Sequence, residues 1–280
     1  MIVDRRKFVF GSAVLAGTLA GCAAMPGAVG TTARQLGIQL FTVRDIFAAD
    51  PMGTLESIAR IGYREVEYGG GGYDQMDHSA LRATMDRLGL TSPSIHVPYE
   101  MMVGDFDGAV RMAKTLGADT VVLPWLADPL RTAEGWAGVL ANIDPFARRF
   151  KDNGLGFAYH NHDFEFTTRH NGRSMFEDIV ERTDPELVQM ELDLFWTVAA
   201  GEDPLATIRR LPGRIYAYHV KDRAADGSMA SVGSGTIDFA QIFTLNSLAG
   251  VQHLYVENDM APAPYLPNIE ASFAALSRLV

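Results

Sequence analysis

Eight short runs of β-forming residues recur along the chain, and each is followed by a longer segment with the spacing of an amphipathic helix. The runs cover residues 36–42, 64–68, 94–97, 120–124, 156–160, 188–193, 215–220 and 253–257. Helical segments between them include 55–61, 79–88, 107–116, 133–153 and 239–249. Several close on Gly62, Gly89, Gly117 or Gly154, residues suited to a left-handed helix end. Alternation of this kind makes parallel strands with helical crossovers, and eight units in about 245 residues fit a (β/α)₈ barrel. A doubly wound open sheet is the alternative. It requires a glycine-rich phosphate loop after the first strand, whereas the run Gly69, Gly70, Gly71, Gly72 follows the second and lacks GxGxxG spacing.

The N-terminal segment is set apart from this pattern. Asp4, Arg5, Arg6 and Lys7 precede an uncharged run rich in Gly and Ala, the layout of a twin-arginine export signal. Leu19-Ala20-Gly21-Cys22 has the form of a lipoprotein cleavage site, so residues 1–21 are expected to be a signal, Cys22 a lipidated residue and 22–33 a flexible tether. The barrel then occupies 34–280. The expected location is periplasmic, with membrane contact through the lipid anchor alone. Mass spectrometry of the mature N-terminus tests this, because an unmodified terminus elsewhere than Cys22 contradicts it. Cys22 is the sole cysteine, so no disulfide forms within the chain and the core alone must hold the fold. Removal of the signal shifts the net charge from −10 to −12. An acidic chain without a basic run is a poor partner for nucleic acid.

Functional groups of a barrel come from the C-terminal strand ends and the loops beyond them. Two-residue alternation pairs Glu65 with Glu67, Glu191 with Asp193, His219 with Lys221 and Tyr255 with Glu257 on lumen faces. Val66, Leu192, Val220 and Val256 then face the helices. A lone acid or histidine at a strand end is usually a cap or a satisfied polar residue. Asp193, His219 and Glu257 on three successive strands form instead a donor set suited to one divalent metal ion, Mn²⁺, Mg²⁺, Co²⁺ or Zn²⁺. The fifth run opens into Tyr159-His160-Asn161-His162-Asp163-Phe164-Glu165, the densest polar cluster in the chain.

With GIQLFTVRD, IHVPYE, YHNHDFEF, ELDLFW, HVKD, VGSGTIDF and YVEND in register with these strands, the chain resembles the sugar phosphate isomerase/epimerase family with a xylose isomerase-like barrel. The resemblance implies a metal held from strands five to eight by Glu, Asp, His and Glu, three of which fall on Asp193, His219 and Glu257. Where relatives carry a fifth-strand glutamate this chain has His160-Asn161-His162, so Glu165 folding back is the expected fourth ligand and His160 the alternative. The resemblance further implies an isomerase or epimerase acting on a small sugar or keto-sugar through an enediolate. A keto-glycoside lyase and a non-catalytic sugar-binding lipoprotein are the alternatives. The expected base is Glu165 or Glu257, then His162, with Lys221 neutralising developing charge. Gln39, Glu67, His96 and His160 are expected to read substrate hydroxyls, and Trp196, like Trp125, to offer a flat face to a sugar ring. No Arg/Lys cluster marks a phosphate site.

Overall fold

The structure, a computed structural model, describes residues 35–280, so the signal, the tether and Cys22 lie outside the described residues. Eight parallel strands follow one another round a barrel: β1 (Gly37–Gln39), β2 (Glu65–Glu67), β3 (Ser94–His96), β4 (Thr120–Leu123), β5 (Gly156–His160), β6 (Val188–Asp193), β7 (Ile215–Val220) and β8 (His253–Val256). Each strand but one pairs with the strand that follows it, β2 and β3 being the exception, and β1 pairs with β8. Parallel bridges Glu65 to Thr91 and Tyr68 to Ile95 close the remaining seam between β2 and β3. No described helix is long and apolar enough to cross a membrane.

Local chemistry fixes the crossovers. Asp50, Asp77, Asp105 and Thr132 each accept a hydrogen bond from a backbone N–H in the first turn of the helix they precede. Ser174 and Glu177 form a capping box at the start of Met175–Arg182. Gly89 and Gly117 end helices His78–Leu88 and Phe106–Leu116 at φ +67° and +85°, a conformation that burdens any residue with a Cβ. Two expected elements differ. The first run stops being a strand at Gln39, because the Gln39 side chain accepts the Phe41 N–H (3.1 Å) and starts a 3₁₀ turn, Leu40–Val43. The 239–249 segment breaks into Phe239–Phe243 and Asn246–Ala249.

Alternation divides the strands as expected. Val66, Leu192, Val220 and Val256 are buried in the main core with the helices, where each fully buried side chain contributes about 1.5–3 kcal/mol. Val122, Ala158, Tyr216, Ala217 and Tyr255 form a separate cluster. Tyr255 needs space from β1: a Cβ on Gly37 would lie 2.5 Å from its ring. Gly37→Val is therefore expected to destabilise the barrel by about 1–3 kcal/mol through overpacking. A thermal melt checks this, and an unchanged Tm contradicts it.

Candidate active site at the barrel mouth

The ends of β5 to β8 converge on one buried donor cluster, and β2, β3, β6 and β7 supply a second that shares His219 with it. One holds His160, Asp193, His219 and Glu257; the other holds Glu67, His96, Glu191 and His219. Within each, one donor atom per residue lies within 4.8 Å of all the others. Hydrogen bonding distinguishes them. In the second, Glu67 takes the Gln39 amide (2.8 Å), the Ser94 hydroxyl and His219 Nε2 (2.8 Å), while His96 Nε2 meets Glu191 at 2.8 Å. That cluster is largely satisfied by itself, with Glu191 Oε1 left over.

The first cluster is satisfied only in part. A proton on His219 Nε2, directed at Glu67, leaves Nδ1 facing Glu257 at 2.6 Å without hydrogen-bond geometry, and both His219 Nδ1 and Glu257 Oε2 remain buried without a hydrogen-bond partner. His160 is set in the same sense. Its Nδ1 donates to the Pro124 carbonyl (3.0 Å), which turns Nε2 toward Asp193 at 3.3 Å. Two imidazole lone pairs and two carboxylates thus face one point, a donor set that fits Zn²⁺ or another divalent ion.

Electrostatics supports the same fit. Asp193, Glu257 and Asp259 gather around Lys221, whose Nζ lies 2.9 Å from Asp193, 2.8 Å from Glu257 and 2.9 Å from Asp259, while Glu67 and Glu191 pair with His96 and His219. The same carboxylates favour positive charge on the imidazoles, and Glu67 and Glu191 hold His96 at about 9 against its burial. Burial alone would lower His219, but Glu191 and Glu257 hold it well above its ordinary value, so an ion at Nδ1 would take the place of a proton that the same carboxylates favour. Burial would raise Asp193 and Glu257, yet Lys221 and the neighbouring histidines hold Asp193 at about 2 and Glu257 well below the carboxylate range. His162 differs. Burial, His160 and Lys221 push it well below 6.5, which keeps it neutral at physiological pH, and its Nδ1 has no partner.

A cavity of about 530 Å³ opens over this centre, lined by His96, His160, His162, Lys221, Glu257 and Asp259, with Phe41, Tyr73, Pro98, Pro124 and Trp125 above. Several expectations change here. Glu165 does not join the donor cluster. Its carboxylate is folded back by the short helix Phe164–Thr167 to accept the His162 N–H (2.7 Å) and the Tyr159 hydroxyl (2.8 Å), and His160 stands in the cluster instead. Gln39 and Glu67 are fully buried and do not line the cavity, because they hydrogen-bond to each other and hold His219. Trp196 packs on His162, ring centroids 5.4 Å apart, and is likewise absent from the lining. His96 and His160 do line it. Lys221 is buried at 1% exposure and its partners are not Asp222, which instead accepts the N–H groups of Gly233, Gly235 and Ile237 and so folds the VGSGTIDF loop. Asp259 went unrecognised in the sequence, although it follows Glu257 at the same two-residue step. Burial pushes its carboxyl up to about 7, partly offset by Lys221.

Glu165 has its own signature. Burial pushes it up to about 8 from 4.5, against the opposing His162 N–H and Tyr159 hydroxyl. A raised carboxyl favours the protonated fold, so stability is fully present below about pH 4.5 and is lost as pH rises to about 8, at up to about 1.4 kcal/mol per pH unit. Glu165→Gln is expected to remove this loss, so that its Tm advantage over the parent grows between pH 5 and 8 while metal affinity is unchanged. A constant Tm difference, or weakened metal binding, contradicts this placement.

Known proteins place the chain. The xylose isomerase-like TIM barrel family model matches residues 55–245. An inosose dehydratase of Clostridium tetani is 27% identical over 156 residues, covering 48% of this chain and 51% of that protein, so the match spans about half the length of this relative. A sugar phosphate isomerase/epimerase structure from Parabacteroides distasonis superposes with a TM-score of 0.73 at 24% identity, covering 89% of this chain and 96% of that one. The IOLI protein, in a structure with a bound zinc atom, superposes at 0.66 with 16% identity over 88% of this chain and 98% of its own. The chain belongs to the xylose isomerase-like TIM barrel family.

Proposed function

We propose that the protein is a metal-dependent isomerase or epimerase that moves a proton at the carbon beside a carbonyl of a small polyhydroxylated substrate. The observation that carries this reading is the four-donor cluster, in which His219 Nδ1 and Glu257 Oε2 are buried without a hydrogen-bond partner and from which His160 and Glu257 reach the cavity. His160, Asp193, His219 and Glu257 would hold one divalent ion, which when bound supplies Lewis-acid polarisation of a carbonyl. Glu67 keeps the proton on His219 Nε2 and so keeps Nδ1 available. The neutral His162 at the wall accepts the substrate proton, and His96 meets a hydroxyl. Lys221 brings a fixed positive charge toward the oxygen on which negative charge develops. That ammonium is already shared by three carboxylates, which favours substrates without phosphate.

The inosose dehydratase relatives favour a second reading, β-elimination. The same proton is removed, a hydroxide leaves from the next carbon, and Asp259 at the cavity wall is placed to protonate it. Metal-loaded protein incubated in D₂O with free ketoses, inososes, keto-glycosides and sugar phosphates separates the readings by NMR. Carbon-bound deuterium in an otherwise intact or isomeric sugar means isomerase or epimerase, whereas loss of water or of an aglycone means lyase. No exchange and no product with any carbonyl sugar contradicts both.

A further inference from the structure

The mouth of the cavity is built differently from its floor. Phe41 and Trp125 line it from the turns after β1 and β4, strands separated by β2 and β3. Both remain exposed, at 37% and 48%. Single exposed aromatics are commonplace; two held rigidly over one cavity are not. The Arg44 guanidinium lies 4.3 Å from the Phe41 ring centroid and is anchored by the carbonyls of Phe41 (2.9 Å) and Asp259 (3.2 Å). Beneath the ring, Gly70 sits at φ +71°, and a Cβ there would come within 2.6 Å of Phe41. Trp125 has a matching support. Arg131 lies 4.7 Å from its ring and 3.7 Å from that of Phe164, and its Nε donates to the Leu126 carbonyl (2.7 Å). Each platform is therefore an aromatic ring with a guanidinium fixed beside it, which limits the rotamer freedom lost when a ligand stacks.

Between floor and rim the walls are Tyr73, Pro98 and Pro124, flat and largely apolar; the Tyr73 hydroxyl is already spent on the His96 carbonyl, and the carboxylate beside it, Asp74, accepts the Gln75 amide (2.9 Å). A single polyhydroxylated ring on the floor has its polar partners in His96, His162 and Lys221 and leaves the Phe41 and Trp125 rings uncovered. We infer that the substrate is a conjugate, a carbonyl-bearing sugar joined to a second ring whose flat apolar face stacks on Phe41 and Trp125. This rests on the sugar-directed reading above and names the substrate class for it. The second ring is either another sugar, presenting its C–H face, or an aryl aglycone; both offer the chemistry that an aromatic platform recognises.

Binding tests the inference without requiring turnover. Affinities of the metal-loaded full chain, of Phe41→Ala and of Trp125→Ala are measured by calorimetry for a methyl glycoside, a disaccharide and a phenyl glycoside of the same sugar. The expected result is at least tenfold tighter binding of one two-ring ligand over the methyl glycoside, with that ratio falling to within about twofold of unity in each variant. Preference for the disaccharide assigns the rim to a second sugar, and preference for the phenyl glycoside to an aryl group. Trp125→Leu replaces Trp125→Ala where the latter melts early. Equal affinity for one- and two-ring ligands, or a ratio untouched by either substitution, overturns the inference and makes the rim a surface for something other than substrate. D₂O exchange on the same ligands in carbonyl form is a separate arm: failed exchange with the affinity pattern intact contradicts the proposed chemistry and leaves the conjugate site standing.

Discussion

Glu257→Gln is expected to lose metal affinity by more than about a hundredfold and to lose turnover with it, because even a partner that merely orients a ligand is worth about 10–100-fold. The amide keeps the shape of the carboxylate but removes the charge that faces His219 Nδ1 and Lys221 Nζ. The barrel should survive. Removing one partner of a buried ion pair typically costs about 3–5 kcal/mol, but Lys221 keeps Asp193 and Asp259, so its ammonium is not left alone. Metal titration calorimetry and exchange kinetics read the outcome together. Full activity in this variant would remove Glu257 from the centre.

His162→Gln should separate chemistry from metal binding. The ring contributes no atom to the four-donor cluster, so affinity for the ion is expected to stay within a few fold, while turnover falls by about 10²–10⁴, the usual range for a general base. Its pH behaviour adds a check. Burial and the neighbouring His160 and Lys221 hold the imidazole well below 6.5, so it is protonated, and useless as a base, only at acid pH. The parent enzyme should therefore lose activity on the acid side, and the residual activity of the variant should lack that limb. Loss of metal together with activity would show that His162 belongs to the metal centre.

The parts of this site that were legible in the sequence are those governed by strand period. Glu191 and Asp193, and His219 and Lys221, fall on one face because alternation holds within each pair, the register shift between Met190 and Glu191 coming before both acids. Runs 156–160, 188–193 and 215–220 coincide with β5, β6 and β7 for the same reason. The illegible parts depend on where a loop turns. Glu165 carries the right chemistry for a ligand, but one helical turn after Asp163 folds it onto its own strand, a result that spacing alone does not determine. Gln39 and Glu67 have strand positions suited to a lumen role, and only the three-dimensional arrangement reveals that their polar atoms are consumed in holding His219. Phe41 was read as strand and became a platform at the mouth because Gln39 captured its N–H. In each case a side chain to backbone or side chain to side chain hydrogen bond decided the outcome, and such bonds leave no periodic trace.

The substitution of His160 for a carboxylate has a physical consequence. A neutral imidazole leaves the cluster with two carboxylates where the resemblance implies three beside one histidine, and Lys221 beside Asp193 and Glu257 lowers the negative charge further. Nitrogen donors from both His160 and His219 would shift the preference of an ion held there from Mg²⁺ toward Zn²⁺, Co²⁺ or Mn²⁺.

Anomalous diffraction from crystals soaked in Zn²⁺ or Mn²⁺ measures the centre directly. One ion bonded to His160 Nε2, Asp193, His219 Nδ1 and Glu257 is the result predicted. An ion bonded through Glu165, an ion seated instead among Glu67, His96 and Glu191, or no ordered ion at the floor of the cavity would contradict the account.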